Sequence, residues 1–206
     1  MEASIKVFLK KRIKKPLEKI YWWIYGSILR NPKLPVDPRS FLFICKGNIC
    51  RSVFAQALAV KTAEEKGIQN MVFDSAGLEV SRAMPPPQEA IVAAKRFGIT
   101  LDGHRSKRIS REMAESFDIV IAMEAWQLQA LRRLFPQYSD RFFLLPLFDE
   151  NGRNTWDFYS VYNIADPFGK DLIRFRACYE RIENCLAGLF SQLDGRGKKI
   201  QREQVG

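Results

Sequence analysis

The chain has 206 residues, 47% of them hydrophobic, and only four cysteines; that is enough apolar matter for one domain with its own core and excludes a disulfide-stapled scaffold. Its net charge of +10 sits at the ends, since residues 1–38 carry nine Lys/Arg against three Asp/Glu and the tail from Gly195 carries four against Glu203 alone. The body between them is close to neutral, so no nucleic-acid partner is expected.

In the first segment Ile5, Phe8, Leu9, Ile13, Leu17, Ile20, Ile24 and Ile28 recur at helical spacing with lysines in the gaps. Pro16 either divides this pattern into two helices or opens the second at its first turn. "IYWWIYGSIL" is too short to cross a bilayer, which takes roughly 20 apolar residues. Lysines precede it, but no small-residue cleavage site follows, so the protein is expected to be cytoplasmic and reduced. Tryptophan and tyrosine favour the membrane–water interface, and lysines favour anionic lipid. Residues 1–30 therefore suit the inner face of a membrane, and packing on the domain or on a partner chain is the other reading. Pro32, Pro35 and Pro38 make an extended linker.

Strands and helices then alternate. "SFLFIC" reads as a buried strand, "SVFAQALAVKTAEEKG" as an amphipathic helix ended by Gly67, and "MVFDSAG" as a second strand. "PQEAIVAAKRFG" is a helix ended by Gly98, "FDIVIAM" a third strand, "EAWQLQALRRLF" a helix, and "FFLLPLF" a fourth strand. "KDLIRFRACYERIENCLAGLFSQL" closes the chain as a long helix. This order predicts an α/β fold: three layers, doubly wound, with an about four-stranded parallel sheet and a phosphate-binding loop after the first strand. The expected units are an extension and linker over 1–38, a domain over 39–194 and a disordered basic tail over 195–206.

Ligands in such sheets bind beyond the carboxyl ends of the strands, and there the sequence reads "FLFICKGNICRS". A helix amino end offers unpaired N–H groups and a positive dipole end, a ready anion site. Gly47 is expected to allow the tight turn that brings several N–H groups inward. Arg51 supplies a planar fork for two oxygens of a tetrahedral oxyanion. Cys45, at the floor of this positive bowl, is expected to have a lowered pKa and to act as a nucleophile toward bound phosphate. A metal site would need about four ligands. Cys178 and Cys185 fall in a predicted helix and the chain has one histidine, so no metal is expected. Those two cysteines read as core residues.

"CKGNICRS" resembles the C-x5-R-[S/T] signature of the low-molecular-weight protein-tyrosine phosphatases. "DSAG" at Asp74–Gly77, "GHRSKRIS" at Gly103–Ser110 and "ADPFG" at Ala165–Gly169 follow in that family's order. The resemblance runs from about Phe41 to Leu193. It implies a phosphotyrosine-protein phosphatase that needs no cofactor and works through a phosphocysteine on Cys45. Arg51 would hold the phosphate within a loop of Lys46, Gly47, Asn48, Ile49, Cys50 and Ser52. A cysteine cannot protonate the leaving phenolate, so a carboxylic acid on a separate loop is needed; the resemblance assigns this to Asp166. Phe168 would flank the substrate ring, and Leu78 would lie on the rim of the cleft. Ser75 and His104 would support the loop, His104 bonded with both Ser75 and Asn48. Family members carry a second cysteine at the position of Cys50, which can form a reversible disulfide with the nucleophile. Where the family commonly has proline and an acidic residue after "RS", this chain has Val53 and Gln56, and only packing changes are expected from them.

The expected partner is a phosphotyrosine-containing protein, with the enzyme a monomer or weak dimer. Two alternatives remain. An arsenate reductase on the same scaffold would need extra thiols after the third strand, where "MEAWQLQAL" has none. A membrane-tethered phosphate-binding module would be expected to lack the nucleophile or the acid.

Overall fold

The computed structural model describes residues 29–149 and 158–204, with Ile24 and Gly26. The amphipathic pattern expected over residues 5–28 lies almost wholly outside these described residues. In chain order the elements are β1 Ser40–Cys45, α1 Arg51–Glu65, β2 Val72–Gly77, α2 Gln88–Lys95, α3 Arg111–Ser116 and β3 Ile119–Ala122. Then come α4 Ala125–Leu134, β4 Phe142–Leu144, α5 Phe158–Tyr162 and α6 Leu172–Gln204. The strands pair in the order β2-β1-β3-β4, all parallel. The architecture is the expected one.

The three layers follow from the two-residue period of the strands. Along β1, Phe41, Phe43 and Cys45 face one core cluster, while Leu42 and Ile44 face the other. In β3 Ile119 and Ile121 join the first cluster and Val120 and Ala122 the second. The first cluster packs under α1, α2 and α6 through residues such as Phe54, Ala93, Tyr179 and Phe190, and the second under α3 and α4 through Ala114, Leu128 and Leu131. A sheet covered on both faces needs near-continuous apolar strands, and β1, β3 and β4 are buried in almost every residue.

The fourth strand is shorter than "FFLLPLF" suggests. After Leu144 the chain turns into a 3-10 segment, Leu145–Phe148, because Pro146 has no N–H to continue a ladder. The outer edge of β4 is satisfied by a side chain: Asn31 Oδ1 accepts from the Leu144 N–H at 2.7 Å and Asn31 Nδ2 donates to the Leu144 carbonyl at 3.1 Å. Leu29 and Leu34 are buried beside it, 6% and 5% exposed. Packing onto the sheet thus begins ahead of residue 39, where the sequence reading opens the domain. At the other end α6 continues past residue 194 to Gln204, over the stretch expected to be disordered. Gly195 and Gly197 lower helix propensity there without ending the helix. Two short helices escape the hydrophobic pattern, α3, capped by the Ser110 hydroxyl accepting from Met113 N–H at 3.2 Å, and α5.

Candidate active site

Residues Lys46–Cys50 join the end of β1 to the start of α1. Cys45, Asn48, Cys50, Arg51 and Ser52 are all 3% exposed or less. The reversal is made at Asn48, whose φ is 54°, and not at Gly47, which is absent from the left-handed residues. Asparagine tolerates that conformation, and here its side chain is pinned at both ends. Asn48 Oδ1 accepts the Lys107 N–H at 2.9 Å, and Nδ2 donates to Ser75 Oγ at 2.9 Å and to Ser52 Oγ at 3.0 Å. The glycine the loop does need is Gly77 on the neighbouring strand. A Cβ there would lie 2.9 Å from the Lys46 carbonyl oxygen and 3.0 Å from the Asn48 nitrogen.

The Cys45 sulfur accepts the Asn48 N–H at 3.2 Å and meets Ser52 Oγ at 3.1 Å. Ser52 is the second residue of α1, inside the helix and not its cap. His104 Nε2 donates to the Asn48 carbonyl at 2.7 Å. It does not bond Ser75, as the sequence reading expected; the Ser75 hydroxyl donates instead to Gln56 Oε1 at 2.7 Å. Burial lowers the His104 pKa, with Lys107 adding to the effect and the Asn48 bond opposing it. The ring is then neutral at pH 7 and acts as a fixed donor under the loop.

Arg51 is 1% exposed and fully engaged on one side. Its Nη1 donates to Glu124 Oε1 at 2.5 Å and to the Ile164 carbonyl at 2.8 Å, and its Nη2 pairs with Asp166 Oδ2 at 2.7 Å. Its Nε is buried without a hydrogen-bond partner among the described residues. Burial alone would disfavour the charge, but Cys45, Asp166 and Glu124 outweigh it and raise the guanidinium pKa. Arg51 is a permanent cation.

Glu124 has no place in the sequence reading. It directly follows the third predicted strand, so a carboxylate at the carboxyl end of the strand beside β1 was the available signal. Gln127 Nε2 donates to Glu124 Oε1 at 2.9 Å and the Tyr159 hydroxyl to its Oε2 at 3.4 Å. Asp166 reaches the same arginine from the loop between α5 and α6. That loop is tied back to the sheet by Ile164 N–H to the Met123 carbonyl at 2.9 Å and by Asn163 Oδ1 accepting from Ala125 N–H at 3.1 Å. Asp166 Oδ1 also accepts the Phe168 N–H at 3.2 Å, and Phe168 itself is 57% exposed.

The remaining expected site residues divide. Ile49 is half-buried in the loop, and Lys46 pairs with Glu79 at 3.4 Å in solvent. Leu78, expected on the rim, is only 6% exposed and packs in the second core cluster. Its N–H bonds the Cys45 carbonyl at 3.0 Å, which turns the side chain into the core and leaves Glu79 in solvent. Cys50 is buried, and burial followed by the charges of Cys45 and Asp166 pushes its thiol far up. Cys178 and Cys185 are core residues of α6, with thiols pushed up to about 12, chiefly by burial. Both are buried on α6 and not on the segment after β3, and the arsenate reductase alternative is not favoured.

A model of the low molecular weight phosphotyrosine protein phosphatase family matches residues 40–203. Among curated relatives, a protein-arginine-phosphatase of Bacillus subtilis is 30% identical over 152 residues, 74% of this chain and 95% of its own. A low molecular weight protein-tyrosine-phosphatase of Streptomyces coelicolor is 30% identical over 164 residues, 75% of this chain and 95% of its own. The crystal structure of a low molecular weight protein tyrosine phosphatase from T. tengcongensis superposes with a TM-score of 0.65 at 25% identity, covering 75% of this chain and 99% of the other. With the nucleophile loop, its buried arginine and the aspartate loop in the family's order on the family's fold, the chain belongs to the low-molecular-weight protein-tyrosine phosphatases, hydrolases of phosphate monoesters.

Proposed function

We propose that the protein removes phosphate from phosphotyrosine side chains of other proteins, with Cys45 as nucleophile, Arg51 as phosphate anchor and Asp166 as general acid and base. The observation that carries this reading is Arg51 Nε: this N–H of a cation that feels the Cys45 charge is buried without a hydrogen-bond partner among the described residues. A buried donor left unsatisfied costs roughly 1–3 kcal/mol, and a phosphate oxygen is the acceptor that matches its charge. The Asn48 N–H bond and the Ser52 hydroxyl stabilise negative charge on the sulfur.

Cys45 attacks phosphorus in line, and the P–O bond to the leaving oxygen breaks. The loop N–H groups and Arg51 hold the equatorial oxygens as charge builds. A phosphate dianion competes for Arg51 Nη2 and releases Asp166 toward the leaving phenolate, which takes its proton. Asp166 then accepts a proton from the water that attacks the phosphocysteine. The relatives include phosphatases named for tyrosine and for arginine. Exposed Phe168 and half-buried Ile49 favour a flat aryl ring and offer no acceptor to a guanidinium. Cys45→Ser should abolish hydrolysis of an aryl phosphate assayed without added metal, and a serine variant with full activity would remove Cys45 from its role.

The catalytic unit is assigned to residues 39–194, with 195–206 a basic tail and 1–38 an extension. Lysines and paired tryptophans within residues 1–30 support a peripheral site on an anionic membrane surface facing the cytoplasm. No helix among the described residues is long and apolar enough to cross a membrane. Full-length protein should co-sediment with phosphatidylserine vesicles at low salt and lose this on deletion of residues 1–23; equal binding by the truncated protein would refute it. The enzyme is taken as a monomer or weak dimer. A peroxide would oxidise the Cys45 thiolate to a sulfenic acid, which condenses with the Cys50 thiol and releases water; this reversible disulfide is the oxidised off-state.

A further inference from the structure

The hydrogen bonds beneath Cys45 run in one direction, anchored at Gln56 and at Asn48. Two backbone contacts fix the side-chain amides. Gln56 Nε2 lies 3.3 Å from the Phe73 carbonyl, which can only accept, so Oε1 faces Ser75. Asn48 Oδ1 lies 2.9 Å from the Lys107 N–H, which can only donate, so Nδ2 faces the two hydroxyls. Each proton then has one destination. The Ser75 hydroxyl donates to Gln56 Oε1 at 2.7 Å and accepts from Asn48 Nδ2 at 2.9 Å. The second Nδ2 proton goes to Ser52 Oγ at 3.0 Å. Ser52 meets the Cys45 sulfur at 3.1 Å, and toward a thiolate, which can only accept, its hydroxyl is the donor.

We propose that Gln56 is a positioning residue: by accepting the Ser75 hydroxyl proton it keeps Ser75 an acceptor for Asn48 Nδ2, and so holds in place the asparagine amide that donates to Ser52 beneath the Cys45 sulfur. Without that acceptor, Ser75 is free to turn its proton toward Asn48, Nδ2 loses one of its two acceptors, and the asparagine that holds the loop at φ 54° loses a tether. Position 56 is one where this chain departs from the acidic residue of the family pattern, so the relay here ends on a neutral amide. The titratable groups on and around the loop are Arg51, Cys50, Lys46 with Glu79, Asp166 and Glu124, Cys178 and Tyr179 on α6, and His104, Lys107 and Asp74 on the far side. None of them bonds Gln56, so substitution there leaves their charges in place.

The inference rests on Cys45 as the nucleophile, and the test separates the two. Inactivation by iodoacetate is followed against pH for the full-length protein and for Gln56→Leu, Gln56→Met, Gln56→Glu, Ser75→Ala and the Gln56→Leu/Ser75→Ala pair. Leucine or methionine should move the alkylation midpoint up by roughly one pH unit, the order expected for a weakened hydrogen bond to a charged sulfur. They should lower kcat several-fold with KM little changed. Glutamate keeps an acceptor for Ser75 but loses the donor to the Phe73 carbonyl and adds a charge, so it should recover kcat relative to leucine without fully restoring the midpoint, and the double variant should move the midpoint no further than Ser75→Ala alone. A midpoint unmoved in both the leucine and methionine variants, or additive shifts in the pair, would overturn the relay. A wild-type enzyme not alkylated at Cys45 would overturn the nucleophile assignment itself.

Discussion

Replacing Glu124 by glutamine isolates the charge that steadies Arg51. The glutamine Oε1 can keep the bonds from Arg51 Nη1 and Gln127 Nε2, while its Nε2 faces the Tyr159 hydroxyl, so the fold has no reason to change. What is lost is a full negative charge 2.5 Å from a guanidinium, the side chains being 1% and 10% exposed. Solvent screens such a pair little. Hydrogen bonds between charged groups are worth roughly 1.5–3 kcal/mol, and removing one partner of a buried pair outright costs about 3–5 kcal/mol. The retained acceptor and the second carboxylate on Asp166 place Glu124→Gln in the lower range. At 1.4 kcal/mol per tenfold, that is about a 10–100-fold loss in kcat/KM. Because Arg51 is assigned to phosphate in ground and transition states alike, inhibition by inorganic phosphate should weaken as well. The assays are aryl phosphate hydrolysis, phosphate inhibition and thermal unfolding on the same preparations. A variant within twofold of wild type in kcat/KM, with unchanged phosphate inhibition, would refute the electrostatic role of Glu124.

Asp166→Asn should slow hydrolysis by about 10²–10⁴-fold for a poor leaving group such as phenol and less for p-nitrophenol, because general acid catalysis is worth most where the leaving oxygen is most basic. Equal slowing for both esters would argue against proton donation by Asp166. For His104 the expectation concerns stability. Its pKa is held below 6.5 in the folded state, chiefly by burial. As pH falls below 6.5 the unfolded chain therefore binds the proton first, and stability is lost with falling pH. The melting temperature should drop between about pH 6.5 and 5 by more in wild type than in His104→Gln; parallel drops would show that His104 does not titrate there.

The parts legible in the sequence are those encoded over short spans. Cys45 and Arg51 are six positions apart, and one strand–loop–helix places them together whatever the rest of the chain does. The strands were legible because three of them are buried on both faces and read as apolar runs. What escaped depends on long-range register. Glu124 meets Arg51 across 73 residues only because β3 lies beside β1. Gln56 looked like a packing change because its acceptor role depends on Ser75, which reaches α1 only once β2 pairs with β1. The sequence points to Gly47 for the tight turn, whereas the left-handed residue is Asn48, at the expense of propensity and compensated by three side-chain hydrogen bonds and the His104 contact. The end of β4 was hidden because Asn31, 113 residues away, closes its edge.

The two carboxylates on Arg51 differ in a way that matters for turnover. Burying a guanidinium at 1% exposure is tolerable only with counter-charge at hand. Glu124 is 10% exposed and fastened by Gln127 and the Tyr159 hydroxyl. Asp166 is 36% exposed, on a loop whose Pro167 and positive-φ Gly169 shape a tight turn, and among the described residues its other oxygen is held by the Phe168 N–H. A phosphate entering the loop therefore displaces the exposed carboxylate and not the fastened one. Glu124 keeps the arginine's charge compensated and its plane fixed through the cycle. On the proposed mechanism Asp166 is exchanged for substrate at one edge of the same guanidinium, and that exchange delivers the acid to the leaving group when the phosphate arrives. An anchor carrying Asp166 alone would lose its orientation each time substrate bound, which is why the fold supplies a second acid from a different strand.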